Sequence, residues 1–152
     1  MDARLVNPFI EALATVMPQL GFDTPVRSKM ELRQENAVSL GVSVIVGFTK
    51  EIRGNVVYNM TDEAARFIAS KMMMGMPVPV FDDMAQSAIS ELSNMLTANA
   101  ATNLTGLGFD VDISTPSLSI GSGFSMKISQ TQYLAVEMDL GGQKIELNIA
   151  VQ

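Results

Sequence analysis

Two residues stand out for the chemistry they could do together: Glu91 and Asn94, in the stretch Glu91-Leu92-Ser93-Asn94. A carboxylate accepts hydrogen bonds and pairs with a cation, while a carboxamide both donates and accepts. Residues three apart on a helix project from one patch of its surface. Such a pair could enter a cleft on a partner surface. A neutral Asn takes up no proton, so the pair is not a general acid–base couple.

The remaining inventory is narrow. The 152 residues include no Cys, no His and no Trp. That excludes a disulfide framework, a thiolate nucleophile and a thiolate metal site. It also excludes a Ser-His-Asp triad and a histidine-ligated zinc or iron. Lys and Arg number 10 against 16 Asp and Glu, a formal charge of −6. An acidic chain has few cations with which to displace counterions from a phosphate backbone. Neither nucleic acid nor an anionic membrane surface is an expected partner.

The segment carrying the pair reads as a long helix, from Asp83 to about Asn103. At about 100° per residue, Ala85, Ala88, Ile89, Leu92, Met95 and Leu96 gather on one face, which is the expected core contact. The opposite face holds Ser87, Ser90, Glu91, Asn94, Ala98 and Ala101. A solvated helix face normally carries several charges. Here Glu91 is the only charged residue between Met84 and Phe109. The small side chains of Ser87, Ser90, Ala98 and Ala101 would let a partner surface approach the helix closely, so they are expected to bind one. Two readings of Glu91 and Asn94 stay open at this point: a solubilising charge with a tolerated Asn, or a functional pair entering a partner's cleft.

The elements around this helix give its setting. Residues 2–18 have helical apolar spacing, through Leu5, Phe9 or Ile10, Leu13, Val16 and Met17. Residues 27–35 and Val38 to Phe48 read as strands, the second rich in Val and Ile. A polar turn over 49–54 returns the chain into 55–60, so 38–60 is an expected hairpin. Thr61, followed by Asp62 and Glu63, caps a further helix that Gly75 and Pro77 end. Asp83 with Gln86 resembles a capping box. After Gly106 and Gly108 the chain reads as strand over 110–113, 127–140 and 144–151, with a turn at Gly121-Ser122-Gly123 and a hairpin at Gly141-Gly142. About three helices with hairpin-connected strands predict an α+β fold: one domain over 1–152 with a largely antiparallel sheet. With 47% hydrophobic residues the chain can build its own core. No stretch reads as a signal segment or membrane span, so a cytoplasmic protein is expected.

Other candidates have plainer explanations. Met72-Met73-Met74-Gly75-Met76 offers soft sulfur, but Met at a helix end more often fills irregular gaps. Asp62-Glu63 and Asp82-Asp83 are better explained as helix caps than as ligands of a hard cation. No metal site is expected.

The run from Glu91 to Leu104 resembles the signature helix of the CheC/CheX/FliY family, phosphatases of the phosphorylated chemotaxis response regulator. The likeness extends to the opening Met1-Asp2-Ala3-Arg4, to the Gly47–Gly54 hairpin with Val56-Val57-Tyr58 after it, and to the Met-rich 72–76 segment. One Glu-x-x-Asn helix per chain is the CheX pattern, whereas CheC has two. The first helix has Ala14 where a second Asn would follow Glu11. Ser93 departs from the Gly that the family often has there, and Ser is the better helix residue.

The resemblance implies a phosphorylated CheY-like response regulator as substrate and partner. It implies that Asn94 orients the attacking water and that Glu91 docks on the regulator's active-site Lys. It implies no cofactor of the chain's own, the Mg²⁺ arriving with the regulator. It also implies a homodimer through sheet extension, with the strands at 129–140 and 143–151 expected to leave an open edge. A non-catalytic module docking a regulator or a flagellar-switch partner is the alternative of a different class.

Overall fold

The structure, a computed structural model, describes residues 2–151. Along them run α1 (Ala3–Gln19), β1 (Val26–Arg33), β2 (Ala37–Lys50), β3 (Gly54–Thr61), α2 (Asp62–Met72), α3 (Asp83–Gly106), β4 (Val111–Ile113), β5 (Ser117–Met126), β6 (Tyr133–Asp139) and β7 (Lys144–Val151). Among the described residues, then, three helices accompany seven strands, as the α+β reading expects.

The strands form one sheet in the order β1-β6-β7-β3-β2-β4, with β5 also paired to β2. β4 and β5 share one flank of β2. β5 pairs along its first part and β4 along residues 48–50. Every ladder is antiparallel. The hairpin joining β2 and β3 lies at the centre, and its alternating residues explain why. Val42, Val44, Val46 and Phe48 of β2 meet Val56, Tyr58 and Met60 of β3 in the core on the helix side. The other face has a smaller cluster around Val57, Tyr133 and Ala135.

The helix starts follow the capping chemistry. Asp2 Oδ1 accepts the Arg4 N–H at 2.9 Å, and Thr61 Oγ1 accepts the Ala64 N–H at 3.0 Å. The cap of α3 is Asp82 rather than Asp83: its Oδ1 accepts the Ala85 N–H at 3.0 Å. Gln86 does not complete a capping box but donates from Nε2 to the Phe81 carbonyl at 3.1 Å. α3 also runs on to Gly106, a turn beyond the expected end. It packs against both α1 and α2, so the signature helix is the central one of the three.

Three expectations are corrected. The Gly121-Ser122-Gly123 segment is no turn but the middle of β5. Between the pairs Leu40↔Ser122 and Val38↔Ser125, β5 holds one residue more than β2, a bulge in which Gly123 takes φ +85°. That backbone region is open to Gly and costly for most residues, so the glycines bend a strand instead of ending one. The strand expected over 127–140 begins only at Tyr133. Finally, β6 and β7 are not edges. β6 lies between β1 and β7, and β7 lies between β6 and β3. The flanks are β1 on one side and β4 with β5 on the other, because the chain's last hairpin inserts beside the central one.

Candidate functional site

α3 turns its apolar stripe to the sheet. Ala85, Ile89, Leu92, Leu96, Ala100 and Leu104 are buried there. Ser93 and Thr97 are buried in the same stripe, which the wheel reading did not anticipate. Each solves its polarity locally. Ser93 Oγ donates to the Ile89 carbonyl at 2.9 Å and Thr97 Oγ1 to the Ser93 carbonyl at 2.8 Å. A hydroxyl that donates back to the preceding turn can be buried without stranding a donor. Ala88 and Met95, expected in the core, sit half-buried at its margin.

The other side of α3 forms one wall of an open cleft of about 840 Å³. Ser87, Ser90, Glu91 and Asn94 all line it, together with Asp83 and Gln86. The facing wall comes from Ile113, Ser114, Thr115, Pro116 and Leu118, at the passage from β4 to β5. Glu91 is exposed and Asn94 half-buried. Ala98 and Ala101 are half-buried farther along α3 and do not line the cleft. The structure thus brings four of the six named residues into one concavity and leaves two outside it.

Sequence reasoning missed the facing wall entirely. Pro116 carried only a loop signal, and nothing local couples it to a helix that ended ten residues earlier. The coupling is made by β2, which holds β4 and β5 on one flank while α3 packs over its face.

Asp83 and Glu91, both acidic, are the ionisable side chains lining the cleft. Among the described residues no group of three or more His, Cys, Asp or Glu side chains is placed to hold a metal ion. The Met-rich segment is split. Met72 and Met73 pack against the core, whereas Met74 and Met76 face solvent. No helix of the described residues is long and apolar enough to cross a membrane.

Residues 42–139 match the family model described as "Chemotaxis phosphatase CheX". The chain belongs to this family. The match runs from the central hairpin through the signature helix to β6. A CheY-P phosphatase CheX of Thermotoga maritima is 34% identical over 128 residues, 84% of this chain and 82% of that protein. The fold agrees with family structures. A CheC-like superfamily protein from Shewanella superposes with TM-score 0.88 at 22% identity, over 100% of this chain and 99% of that one. CheX in the CheX–CheY–BeF3–Mg²⁺ complex from Borrelia burgdorferi superposes with TM-score 0.76 at 31% identity, over 97% of each chain.

Proposed function

We propose that this protein hydrolyses the aspartyl phosphate of a CheY-like response regulator, with Asn94 orienting the attacking water and Glu91 docking on the regulator's active-site lysine. The observation that carries this reading is the placement of Glu91 and Asn94 together on the exposed side of α3, inside one cleft. Family membership and the 34% identical CheY-P phosphatase support the activity.

Phosphoryl transfer asks a protein chiefly for positioning and for stabilisation of charge. In this reaction the water oxygen forms a new bond to phosphorus and the bond from phosphorus to the aspartate oxygen breaks. The products are the free carboxylate and inorganic phosphate. The Asn94 carboxamide has an acceptor for the water's hydrogen and a donor for a phosphoryl oxygen, so it can fix the line of attack. Glu91, one turn before it, supplies a negative charge to an approaching ammonium group.

The sign of the cleft supports a protein-borne substrate. With Asp83 and Glu91 as its charged lining, the cleft repels a bare phosphate dianion. Phosphate that arrives with its own cations meets no such barrier. Mg²⁺ held by the regulator would supply charge neutralisation at the phosphoryl group. Asp83 and Glu91 stand eight residues apart on α3, about 12 Å along its axis, so they do not converge on a resident ion of this chain. The complex of CheX with CheY, BeF3 and Mg²⁺ from Borrelia burgdorferi supports that division of labour. Such a reaction belongs in the cytoplasm, and the absence of a long apolar helix among the described residues is compatible with that.

Self-association through sheet extension belongs to the same proposal, but at β1 rather than at β6 or β7. β1 is a flank strand with one unpaired side, and it exposes Val26, Met30 and Leu32. Sedimentation of wild type against Leu32→Lys tests this: a dimer that becomes a monomer supports it, and an unchanged species overturns it.

The phosphatase reading is tested by phosphorylating a response regulator and following phosphate release with wild type and with Asn94→Ala. Acceleration by substoichiometric wild type and none by the variant is the expected result. Binding of the phosphorylated regulator without any acceleration would establish a docking module instead.

A further inference from the structure

Tyr58 lies in β3, and strand alternation turns it into the core between Val56 and Met60. It is among the largest fully buried side chains, at 1% exposure. A buried phenol must find a partner for its hydroxyl. Its partner is on α3: Tyr58 Oη lies 2.8 Å from Thr97 Oγ1.

The direction of that bond follows from its neighbour. Thr97 Oγ1 already donates its one hydrogen to the Ser93 carbonyl at 2.8 Å. Tyr58 is therefore the donor and Thr97 the acceptor. The chain of bonds runs from the Tyr58 hydroxyl through the Thr97 hydroxyl to the Ser93 carbonyl. That carbonyl belongs to the peptide unit whose nitrogen is Asn94. A tyrosine of the central hairpin thus grips, through one side chain, the peptide plane from which Asn94 projects toward the cleft.

Ile89, Leu92 and Leu96 of α3 are apolar and lie in the same buried core as the helix-facing residues of β2 and β3. The hydrophobic effect is itself non-directional, and a packed core holds a helix's rotation only as far as its neighbouring side chains cannot repack. A hydrogen bond has an angular preference and resists it directly. Consecutive O–H donors also polarise one another in a dry interior. Burial pushes the Tyr58 hydroxyl far above the ordinary tyrosine range, so it stays a donor at every working pH. The lever is short. A side-chain tip about 6 Å from the helix axis moves by about 1 Å when the helix turns by about 10°. A displacement of that size in a positioned group costs on the order of 100-fold in rate.

We propose that Tyr58 is a positioning residue of the phosphatase site, fixing the rotation of α3 through Thr97 and the Ser93 carbonyl and with it the direction of the Asn94 carboxamide. The proposal rests on the reading of Asn94 as the group that orients water. Tyr58 touches neither substrate nor water, and its role is exerted through α3.

The test compares wild type, Tyr58→Phe, Thr97→Val, Thr97→Ser and Asn94→Ala. The readouts are the rate of phosphate release at saturating phosphorylated regulator and the affinity for the BeF3-loaded regulator. Tyr58→Phe keeps the ring and removes only the donor. Thr97→Val breaks the same chain from the other side, and Thr97→Ser keeps it. Both breaking variants are expected to lose maximal rate by about 10-fold or more while affinity stays within about twofold, and Thr97→Ser is expected to keep the wild-type rate. Full rate in Tyr58→Phe alongside loss in Asn94→Ala would overturn the role of Tyr58 and leave that of Asn94 standing. A loss of rate and affinity in equal measure would reduce Tyr58 to a packing residue and overturn the proposal as well. Full rate in Asn94→Ala would remove the reading on which the proposal rests, and the proposal with it.

Discussion

Ser114 and Gly47 are bonded twice, in both directions. The Ser114 N–H donates to the Gly47 carbonyl at 2.8 Å, and the Gly47 N–H donates to Ser114 Oγ at 2.8 Å. This closed pair fastens the connection between β4 and β5 to the central hairpin. The wall facing Glu91 and Asn94 is therefore not a free loop. Ser114→Ala removes one of the two bonds and leaves the Gly47 N–H without its acceptor. The expected loss of stability is about 1 kcal/mol, measured by urea unfolding. Loosening the wall is also expected to weaken docking of a BeF3-loaded regulator, with maximal rate less affected. Unchanged affinity in the folded variant would show that the wall does not contact the regulator.

Glu91 and Asn94 should separate in kinetics. If Glu91 pairs with the regulator's lysine, Glu91→Ala should raise KM and weaken affinity, because the pair is made in the docked complex. If Asn94 orients water, Asn94→Ala should lower maximal rate by at least about 100-fold with affinity nearly unchanged. Titrating the regulator in steady state reads both quantities at once. Equal effects of the two substitutions on KM and rate would contradict the division of roles.

Gly54 opens β3 at φ +154°, and a Cβ built there lies 1.8 Å from the Ala150 carbonyl oxygen of β7. That oxygen belongs to a paired strand and cannot swing away. Gly54→Ala should destabilise the protein by about 3 kcal/mol or more, through backbone strain and displaced sheet pairing. Gly21→Ala is the matched control, since no atom lies within 4 Å of its added Cβ while its φ is also positive. Comparable unfolding midpoints for the two variants would show that the close approach to β7 is not what requires Gly54.

Acid should release one specific contact. Asp139 Oδ1 accepts the N–H groups of Gly142 at 3.0 Å and Gly141 at 2.8 Å. These bonds, the one from Gly142 foremost, hold its carboxyl below the ordinary aspartate value of 3.8. A depressed folded-state pKa adds stability that is complete above the unfolded value. That stability is lost as pH falls through the folded one. The advantage of wild type over Asp139→Asn in melting temperature should therefore be constant near neutrality and shrink below about pH 4. A difference independent of pH down to pH 2 would mean that the charge on Asp139 makes no contribution.

The sequence by itself determined the parts whose signals are local. Thr61 announced a helix start because a cap satisfies an N–H group two or three residues away. The central hairpin was legible because its Val-rich strands adjoin in sequence and pair with each other. Glu91 and Asn94 were legible because helical spacing alone puts them on one patch, and because the face around them lacks charge.

Only the tertiary structure decided what lies far apart in the chain. Strand order is a matter of long-range pairing, and no local residue said that β6 and β7 would be interior or that β1 would be a flank. The glycines of β5 carried a turn signal that pairing with β2 overrode, since a bulge accommodates the same backbone angles. The helical wheel did not assign Ser93 and Thr97 to the core, and they fit it by bonding to the preceding turn. The second wall of the cleft and the grip of Tyr58 on α3 exist only because the sheet carries β3, β4 and β5 into contact with one helix. Spacing within a helix could name the pair of residues, but the depth, walls and orientation of their site depended on strands that no local pattern could place.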